Sequence, residues 1–367
     1  MNPMRDRART FRPHTILLWR KVAAHPEARR IVDMFPEVSV RIIERQRSAS
    51  PNHSAAGHPL IAGKRTLLIG EASSFVHRFD GGLGGNVRCR PYWKLVPVSN
   101  GCPYFCTYCY LASVYREHLL AIKININHDQ MFRQIRKALA GADGPVAFNM
   151  GEMLDSLALD HVTNLTSQLV PFFGGMRRGY LMLLTKSANI ENLLALEPNR
   201  HVVVSWSLNA QPMIEAFEPG TASLAERIEA ARRCQQHGYR IRFRIDPGML
   251  YEGWQNGYGD LVQQMLTATQ PDNITLGMLR LAPGHFALAA RAYGQRGRNL
   301  RQHDLVERSS DGKLRYRHDR RIEFYRHVID AIRSFGRDIS TSLCRETAEV
   351  CRHFGSLHHP EQCNCVA

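Results

Sequence analysis

Three cysteines lie within eight residues of this chain, in the stretch SNGCPYFCTYCYLA at positions 99–112. Cys102, Cys106 and Cys109 follow the spacing C-x3-C-x2-C, and no further cysteine occurs until Cys234. Zinc sites usually show two cysteine pairs, or a set of cysteines and histidines that completes a tetrahedron. An iron–sulfur cluster held by three thiolates instead leaves one iron open to an outside ligand. The spacing therefore predicts a [4Fe–4S] cluster with one open position.

An amino acid that chelates through its amine and its carboxylate can occupy that open iron. S-adenosylmethionine (SAM) binds clusters in this way, and one electron then cleaves a C–S bond to give a 5′-deoxyadenosyl radical. The motif follows the apolar run WKLVPVS at 93–99, which predicts a strand, so the cysteines lie at the carboxyl end of that strand. Ligand sites gather at such ends in parallel α/β folds. The spacing, the strand context and the aromatic Tyr108 together resemble the radical SAM superfamily.

Apolar runs typical of strands alternate with helical patterns along most of the chain. The predicted strands cover 14–19, 38–44, 65–69, 94–98, 145–149, 180–185, 202–208, 240–246, 273–279 and 338–343. The predicted helices cover 26–34, 128–140, 157–171, 189–196, 222–237, 257–268 and 320–335. This alternation predicts parallel strands with crossover helices. From residue 94 onward, six strands and five intervening helices favour a partial (β/α)6 barrel over a flat sheet, although the pattern alone does not separate the two.

The composition predicts a cytoplasmic protein that does not enter the membrane. The chain has 367 residues, of which 44% are hydrophobic and 22% are charged, as in ordinary globular proteins. No apolar run reaches the length of a membrane span, and the basic N-terminus MNPMRDRARTFRPH lacks the apolar core of a signal peptide. Nine cysteines, odd in number and clustered, indicate metal or redox chemistry in a reducing compartment rather than a disulfide framework.

The charge balance is +15, because 48 lysines and arginines outnumber 33 aspartates and glutamates. Arginine pairs recur at 29–30, 177–178, 232–233 and 320–321. Such a surface attracts phosphates and predicts a nucleic acid or another anionic partner. A solvated basic surface, of the kind that a GC-rich genome encodes, explains the same numbers without a partner.

Five further stretches resemble the spore photoproduct lyase family within the radical SAM superfamily. They are KRTLLIG at 64–70, CTYCYL at 106–111, SLNA at 207–210, FEPGTASLAERIEAA at 217–231 and YEGWQNGY at 251–258. The resemblance runs in the same order from about residue 14 to 280. It implies an α/β fold with an N-terminal βαβ extension and linker at 1–90, a radical SAM partial barrel at 91–285 and a cysteine-rich C-terminal region at 286–367. It also implies a [4Fe–4S] cluster, SAM and an electron donor such as flavodoxin or ferredoxin.

The resemblance carries several roles over by position, with Cys102, Cys106 and Cys109 as the cluster ligands. Tyr108 matches a side chain that packs near the adenine of SAM, and Tyr110 matches a tyrosine that relays a hydrogen atom. Lys186, in LLTKSANI, matches a lysine that contacts the methionyl carboxylate. Two strand-end residues, Ser207 and Asn209, lie where the family grips SAM, although such residues often only cap the next helix.

One departure from the family concerns its hydrogen-donor cysteine, which follows the second barrel strand. Here that strand ends in VAFNMGEMLD, and Glu152 stands at the matching place. A carboxylate does not donate a hydrogen atom as a thiol does. Gly151 and Glu152 instead resemble the glycine–glutamate motif by which many radical SAM enzymes bind the SAM ammonium group, since glycine lets the backbone approach and the carboxylate pairs with the cation. We therefore expect a relative of the lyases rather than a true spore photoproduct lyase.

The C-terminal region contains a second set of cysteines. They are Cys344, Cys351, Cys363 and Cys365. Thiolates favour soft metals, so these residues predict a second metal site, with an iron–sulfur cluster favoured over zinc. Loose thiols in a frayed tail are the alternative. The other two cysteines, Cys89 and Cys234, are predicted to be solitary, and Cys234 falls on an amphipathic helix as a buried apolar residue.

Two functions remain open at the level of sequence. The basic surface and the lyase-like scaffold favour a radical SAM enzyme that abstracts hydrogen from a nucleic-acid or nucleotide-like substrate. The missing hydrogen-donor cysteine favours a radical SAM tailoring enzyme that acts on a small metabolite or peptide in a biosynthetic pathway. A non-catalytic iron–sulfur or nucleic-acid-binding protein fits the intact motif and the glycine–glutamate pair poorly.

Overall fold

The computed structural model describes residues 11–46, 58–84, 87, 89–114, 120–336, 338–355 and 363–366. In chain order, the strands are β1 (Thr15–Trp19), β2 (Ser39–Ile43), β3 (Thr66–Gly70), β4 (Val76–Phe79), β5 (Tyr92–Leu95), β6 (Val98–Ser99), β7 (Ile122–Asn125), β8 (Val146–Asn149), β9 (Gly179–Thr185), β10 (Val202–Leu208), β11 (Arg240–Gly248), β12 (Asn273–Met278), β13 (Arg280–Leu281), β14 (Glu307–Arg308), β15 (Leu314–Arg315) and β16 (Ser340–Leu343).

The larger sheet confirms the predicted partial barrel. Its strand order is β16-β12-β11-β10-β9-β8-β5-β4. Every neighbouring pair from β5 to β16 is parallel, and only β4 runs antiparallel to its neighbour. The six strands predicted from residue 94 onward correspond to β5 and to β8 through β12, and the strand predicted at 338–343 is the edge strand β16. A single antiparallel bridge between Val87 and Thr347 links the regions that follow the two edge strands.

A second, smaller sheet packs beside the barrel, and the two sheets interleave along the chain. Its order is β2-β1-β3-β7-β6, with β6 antiparallel and the others parallel. β4 precedes residue 90 but pairs with β5 of the barrel, whereas β7 follows the cysteine motif but pairs with β3. The domain boundary predicted at residue 90 therefore does not coincide with the change from one sheet to the other. A third, small sheet joins β13, β15 and β14.

Helices cover the outer face of the barrel. In chain order they are Pro26–Asp33, Pro59–Lys64, Leu111–Val114, His128–Ala140, Asp160–Thr163, Leu165–Gly174, Glu191–Leu194, Gln211–Phe217, Leu224–His237, Trp254–Ala268, His285–Tyr293, Gln295–Arg298, His318–Arg333 and Ala348–Arg352, with 3-10 turns at Arg20–Val22 and Asn299–Gln302. Ser223 and Glu226 form a capping box at the start of one helix, and Gly238 ends it with a φ of 112°. None of the described helices has the length and apolar character to cross a membrane.

The barrel strands divide their side chains between an apolar outer face and a polar inner face. On β10, Val204 and Trp206 belong to the main hydrophobic core that forms beneath the helices. Ser205 and Ser207 alternate with them and therefore point to the other face. On β11, Arg242 and Arg244 share the inner face in the same way. The inner face also carries apolar side chains such as Met182 and Val203, but its polar groups require hydrogen-bond partners from whatever packs against them.

Residues 363–366 of the C-terminal region pack on this inner face. Asn364 accepts a hydrogen bond of 2.7 Å from Ser205 Oγ and donates one of 2.6 Å to the carbonyl oxygen of Phe243. Its backbone N–H donates to Thr275 Oγ1 at 3.1 Å. Arg242 donates to the carbonyl oxygen of Val366 at 2.5 Å. This segment therefore fills the interior of the barrel through bonds to three neighbouring strands.

Candidate active site

A cavity of ≈ 210 Å³ opens at the carboxyl ends of the barrel strands, and we call it the mouth cavity. Cys102, Cys106 and Cys109 all line it. The other predicted site residues that line it are Tyr108, Tyr110, Gly151, Glu152, Lys186 and Ser207. The fold thus brings together residues that lie far apart in sequence. Gly151, Lys186 and Ser207 follow or end parallel strands, whereas the cysteine loop follows the short antiparallel strand β6.

The three cysteines occupy an irregular loop between β6 and the helix Leu111–Val114. Cys106 is buried, whereas Cys102 and Cys109 are half-buried. The backbone N–H of Cys109 donates to the carbonyl oxygen of Cys106 at 3.2 Å, and Lys64 Nζ donates to the carbonyl oxygen of Cys102 at 3.0 Å. Burial raises the pKa of Cys102 to about 11 and that of Cys106 well above its usual value. Because thiolates are the metal-binding form, these groups release protons when they bind metal.

The donor chemistry of this loop fits an iron–sulfur cluster. All nine cysteines of the chain are free thiols. Within the described ranges, no three cysteine, histidine, aspartate or glutamate side chains enclose the position of a single metal ion. A cluster of several irons and sulfides is larger than one ion, so its three thiol ligands need not converge on one point. Three thiols match the usual ligands of such clusters.

The buried carboxylate of Glu218 lies at the centre of a network that includes three residues predicted to contact SAM. Tyr108 and Lys186 contact it directly, and Ser207 is linked to it through Lys186. Arg227 Nη2 lies 2.5 Å from Glu218 Oε2, and Lys186 Nζ lies 3.8 Å from Glu218 Oε1. The Tyr108 hydroxyl donates a hydrogen bond to Glu218, and the Lys186 ammonium donates one to Ser207 Oγ. Burial alone would raise the pKa of Glu218, but Arg227 and Lys186 outweigh it, and the pKa lies below its usual value. The sequence analysis did not single out Glu218 or Arg227, because their pairing depends on the fold.

Gly151 and Glu152 follow β8 and meet two arginines. A side chain at Gly151 would place its Cβ 2.3 Å from Leu184 Cβ, so only glycine fits. Glu152 is buried, with Oε2 2.8 Å from Arg345 Nη2 and Oε1 3.6 Å from Arg244 Nη1. Burial alone would raise the pKa of Glu152, but the charges of Arg345 and Arg244 outweigh this effect. The pKa of Glu152 therefore lies below its usual value. Both carboxylate oxygens already face cations of this chain, and the contact with a SAM ammonium group stays a prediction.

Tyr110 reaches from the cysteine loop to the end of β8. Its hydroxyl donates a hydrogen bond of 2.8 Å to the carbonyl oxygen of Glu152. Its ring centroid lies 5.8 Å from Lys313 Nζ, within the range of a cation–π contact. Burial raises the pKa of Tyr110, so the phenol keeps its hydrogen at neutral pH. The position on the cavity wall suits a hydrogen-atom relay, and that role stays a prediction.

Four cationic side chains that the sequence analysis missed also line the mouth cavity. They are Arg244, Arg280, Lys313 and Arg345. Arg280 makes two contacts of 3.0 Å with the carboxylate of Asp246, at the inner face of β11. Among the described residues, no carboxylate lies within ion-pair distance of the Lys313 ammonium. The alternating arginines of RIRFRID at 240–246 were a signal for part of this set, because alternation places them on one face of a strand.

Asn209 is the predicted SAM contact that does not line the mouth cavity. It is fully buried. Its Nδ2 donates to the carbonyl oxygen of Pro247 at 3.0 Å, and its Oδ1 accepts from the Tyr258 hydroxyl at 2.7 Å. The backbone N–H of Ala210 also donates to Oδ1 at 3.0 Å. Both ends of the amide are used inside the protein, which agrees with the alternative that Asn209 only fixes the end of its strand.

The structure divides the C-terminal cysteines into separate environments. Cys363 and Cys365 are buried in one cluster, and the half-buried Cys89 packs against that cluster. Cys89 was predicted to be solitary, and that prediction is wrong, because its partners lie at the far end of the chain. Cys351 instead faces Glu346 and Arg321. The four C-terminal cysteines therefore do not form one group.

Cys344 and Cys234 lie in two further environments. Cys344 lies near Arg244 and Arg280 at the end of β16, with its sulfur 4.0 Å from Arg280 Nη2. Cys234 is fully buried in the helix Leu224–His237, as the amphipathic pattern predicted. Neither residue contributes a thiol to the group formed by Cys89, Cys363 and Cys365.

Comparisons with known proteins agree with the fold and with the cysteine motif. The family model described as spore photoproduct lyase matches residues 11–294. Spore photoproduct lyase of Geobacillus sp. (strain Y412MC61) is 26% identical over 275 residues, 73% of this chain and 77% of that protein. The enzyme of Bacillus subtilis (strain 168) is 26% identical over 267 residues, 71% of this chain and 75% of that protein.

Solved structures show the same fold. A spore photoproduct lyase complexed with dinucleoside spore photoproduct has a TM-score of 0.75 at 22% identity, over 91% of this chain and 98% of that chain. A mutant of spore photoproduct lyase with bound AdoMet and dinucleoside spore photoproduct has a TM-score of 0.76 at 21% identity, over 92% of this chain and 99% of that chain.

Proposed function

The chain belongs to the spore photoproduct lyase family of radical SAM enzymes, and we propose that it abstracts a hydrogen atom from a nucleic-acid or nucleotide-like substrate. A [4Fe–4S] cluster and SAM, when bound, supply the 5′-deoxyadenosyl radical that this chemistry needs. Cys102, Cys106 and Cys109 would hold the cluster. An external electron donor such as flavodoxin or ferredoxin would reduce it.

The residues around Glu218 are suited to holding SAM. Lys186 keeps its ammonium group at the mouth cavity, and Glu218 at 3.8 Å neutralises it only in part, so it can attract a carboxylate. Tyr108 presents a buried ring 6.0 Å from the same ammonium group. Ser207 accepts a hydrogen bond from Lys186 and so holds the lysine in place. Tyr110 is the proposed site at which a hydrogen atom is passed on.

The observation that carries the substrate assignment is an excess of positive charge in the mouth cavity. Its lining contains five lysine and arginine side chains, counting Lys186, and three carboxylates: Glu152, Asp155 and Asp246. A site with more buried cations than anions favours a ligand that brings negative charge. A phosphate group of a nucleotide-like substrate would supply that charge, and Lys313, which has no carboxylate partner among the described residues, is its proposed contact.

We expect binding of a phosphate-containing ligand to weaken as the pH rises through about 8. Burial lowers the pKa of Lys313 to about 8, and the neighbouring Arg280 and Arg345 contribute. Lys313 is therefore cationic below that pH and neutral above it. The dissociation constant of thymidylyl-thymidine, measured by equilibrium dialysis between pH 7 and 9, should rise about tenfold, since a hydrogen bond to a charged group is lost.

Two variants test the origin of that pH dependence. Lys313→Arg should keep the tight binding at high pH, because a guanidinium stays charged. Lys123→Ala removes a lysine whose pKa burial also lowers to about 8, but which lies on β7 outside the mouth cavity, so the pH profile should not change. A flat profile in the unaltered protein, or an unchanged profile in Lys313→Ala, would contradict the proposed anion contact.

We also expect the enzyme not to restore thymines from spore photoproduct. Glu152 occupies the place of the family's hydrogen-donor cysteine and is held between Arg345 and Arg244. With dinucleoside spore photoproduct, SAM and a reductant, mass spectrometry should detect 5′-deoxyadenosine without a matching amount of thymidine. The Bacillus subtilis relative, assayed in parallel, is the positive control. Thymidine release at a similar rate by both proteins would overturn this prediction.

The same replacement favours the second candidate function, a radical SAM tailoring enzyme of a small metabolite or peptide. An anionic metabolite would satisfy the same cations as a nucleotide. Tight binding of a small carboxylate, with none of thymidylyl-thymidine, would select this alternative.

A further inference from the structure

Three thiols, two of them buried and one half-buried, pack together beneath the mouth cavity, outside the machinery described above. Cys363 and Cys365 come from the C-terminal segment on the inner face of the barrel, and Cys89 comes from the region between β4 and β5. Cys363 and Cys365 belong to one buried cluster, and Cys89 packs against that cluster. Cys363 is 5% exposed and Cys365 is 2% exposed, so water does not surround them. Cys365 Sγ lies 3.8 Å from Glu152 Oε1, which places the group directly below the cavity wall.

The polar groups around these thiols are incompletely satisfied. Among the described residues, the buried Tyr92 hydroxyl and the Nε atoms of Arg242 and Arg244 have no hydrogen-bond partner. Tyr92 is 3% exposed and packs in the same buried cluster as Cys363 and Cys365. Buried polar groups in native proteins are nearly always paired, so several unpaired groups around one point indicate an absent acceptor.

The electrostatics of the surroundings also favour negative charge at the thiols. Arg244 Nη2 lies 2.8 Å from Cys365 Sγ, and Arg242 donates to the carbonyl oxygen of Cys363 at 3.4 Å. Glu152 is the carboxylate that faces both Arg244 and Arg345. With neutral thiols, the cations outnumber the anions, and buried cations are costly without compensation.

We propose that Cys89, Cys363 and Cys365 bind a thiophilic metal centre, either a zinc ion or an iron–sulfur cluster. The three thiols lose three protons to solvent when a divalent zinc ion binds, which leaves one net negative charge beside the arginines. Within the part of the chain that the structure describes, no three ligands enclose a single ion, so binding includes rotation of at least one thiol about its Cα–Cβ bond. The metal would fasten the C-terminal segment to the region before β5 and would fix Arg244 beneath Glu152.

The test measures metal in a full-length protein that lacks the other thiol cluster. In the Cys102→Ala, Cys106→Ala, Cys109→Ala background, prepared without oxygen, zinc loading should give about one zinc per chain, or reconstitution with iron and sulfide about four irons. Added Cys363→Ala and Cys365→Ala, or Cys89→Ser alone, should each reduce the metal content at least about tenfold. Cys351→Ala is the matched control and should retain the metal, because Cys351 is a buried thiol of the same C-terminal region but faces Glu346.

Several outcomes would overturn the proposal. They are the absence of both metals, metal that survives Cys89→Ser, and equal loss in Cys351→Ala. Cobalt added in place of zinc gives a second measurement, because thiolate-to-cobalt absorption should disappear in the Cys363→Ala, Cys365→Ala variant while circular dichroism remains unchanged. If the triple-alanine background does not fold, the same tail variants in the unaltered chain should lower the metal content by the amount of the second centre. None of these results depends on the proposed substrate or on SAM cleavage.

Discussion

A protein in which Cys102, Cys106 and Cys109 are all replaced by alanine is expected to form no 5′-deoxyadenosine from SAM. These thiols are the proposed cluster ligands, and they line the mouth cavity together. Without the cluster, no electron reaches the C–S bond, so product formation should fall to the level of a protein-free mixture containing the same reductant. The measurement is 5′-deoxyadenosine by mass spectrometry after incubation with SAM and dithionite under anaerobic conditions.

Cys234→Ala provides the control for this experiment. Cys234 is also a buried thiol, but it lies within the helix Leu224–His237 and does not line the mouth cavity. Its replacement should leave SAM cleavage near that of the unaltered protein. Equal rates of 5′-deoxyadenosine formation in the triple variant and in the unaltered protein would show that the cysteine motif takes no part in SAM cleavage.

The second large effect is expected from Glu218→Gln, which should destabilise the fold by about 3–5 kcal/mol. Glu218 and Arg227 form an ion pair in which both side chains are fully buried. The amide cannot compensate the guanidinium, so the variant leaves a buried cation without its counter-charge. The amide also keeps only one acceptor oxygen for two donors, the Tyr108 hydroxyl and the Arg227 guanidinium. Urea denaturation of the anaerobic protein measures the loss as a shift of the midpoint.

Glu229→Gln is the matched control, because Glu229 pairs with Arg232 on the surface of the neighbouring helix. Solvent screens that pair, so its loss should leave the midpoint nearly unchanged. The pKa of Glu218 is lowered in the folded state, so its contribution is present above the unfolded carboxyl pKa and is lost as the pH falls through the folded pKa. The difference between Glu218→Gln and the unaltered protein should therefore narrow in acid. Equal midpoints at neutral pH would contradict the role of this pair.

Patterns formed by residues that are close in sequence predicted much of the barrel. The apolar strands at 145–149, 180–185 and 202–208 were recognisable because parallel strands covered by helices are apolar along nearly their whole length. The sequence did not reveal that β4 pairs with β5 of the larger sheet or that β7 pairs with β3 of the smaller sheet. The pairing of such short strands depends on contacts that form only after the chain folds back.

The candidate site was predictable in part, for a related reason. The cysteine motif, Lys186 and Ser207 follow strands in order, and parallel strands bring their carboxyl ends to one edge. Pairings between distant positions were not predictable, as in Glu218 with Arg227 or Cys89 with Cys363. The hydrogen bonds of Asn209 were not predictable either, because they join it to Pro247 and Tyr258, which lie far along the chain.

Electron paramagnetic resonance of the reduced protein, recorded with and without SAM, tests most directly whether the three cysteines hold a cluster with an open iron. In the unaltered protein, the account predicts the signal of a reduced [4Fe–4S] cluster. The line shape of that signal should change when SAM binds the open position. The triple-alanine variant should lack that SAM-dependent change. A protein with no cluster signal after reconstitution, or with a signal that SAM leaves unaltered, would contradict the account.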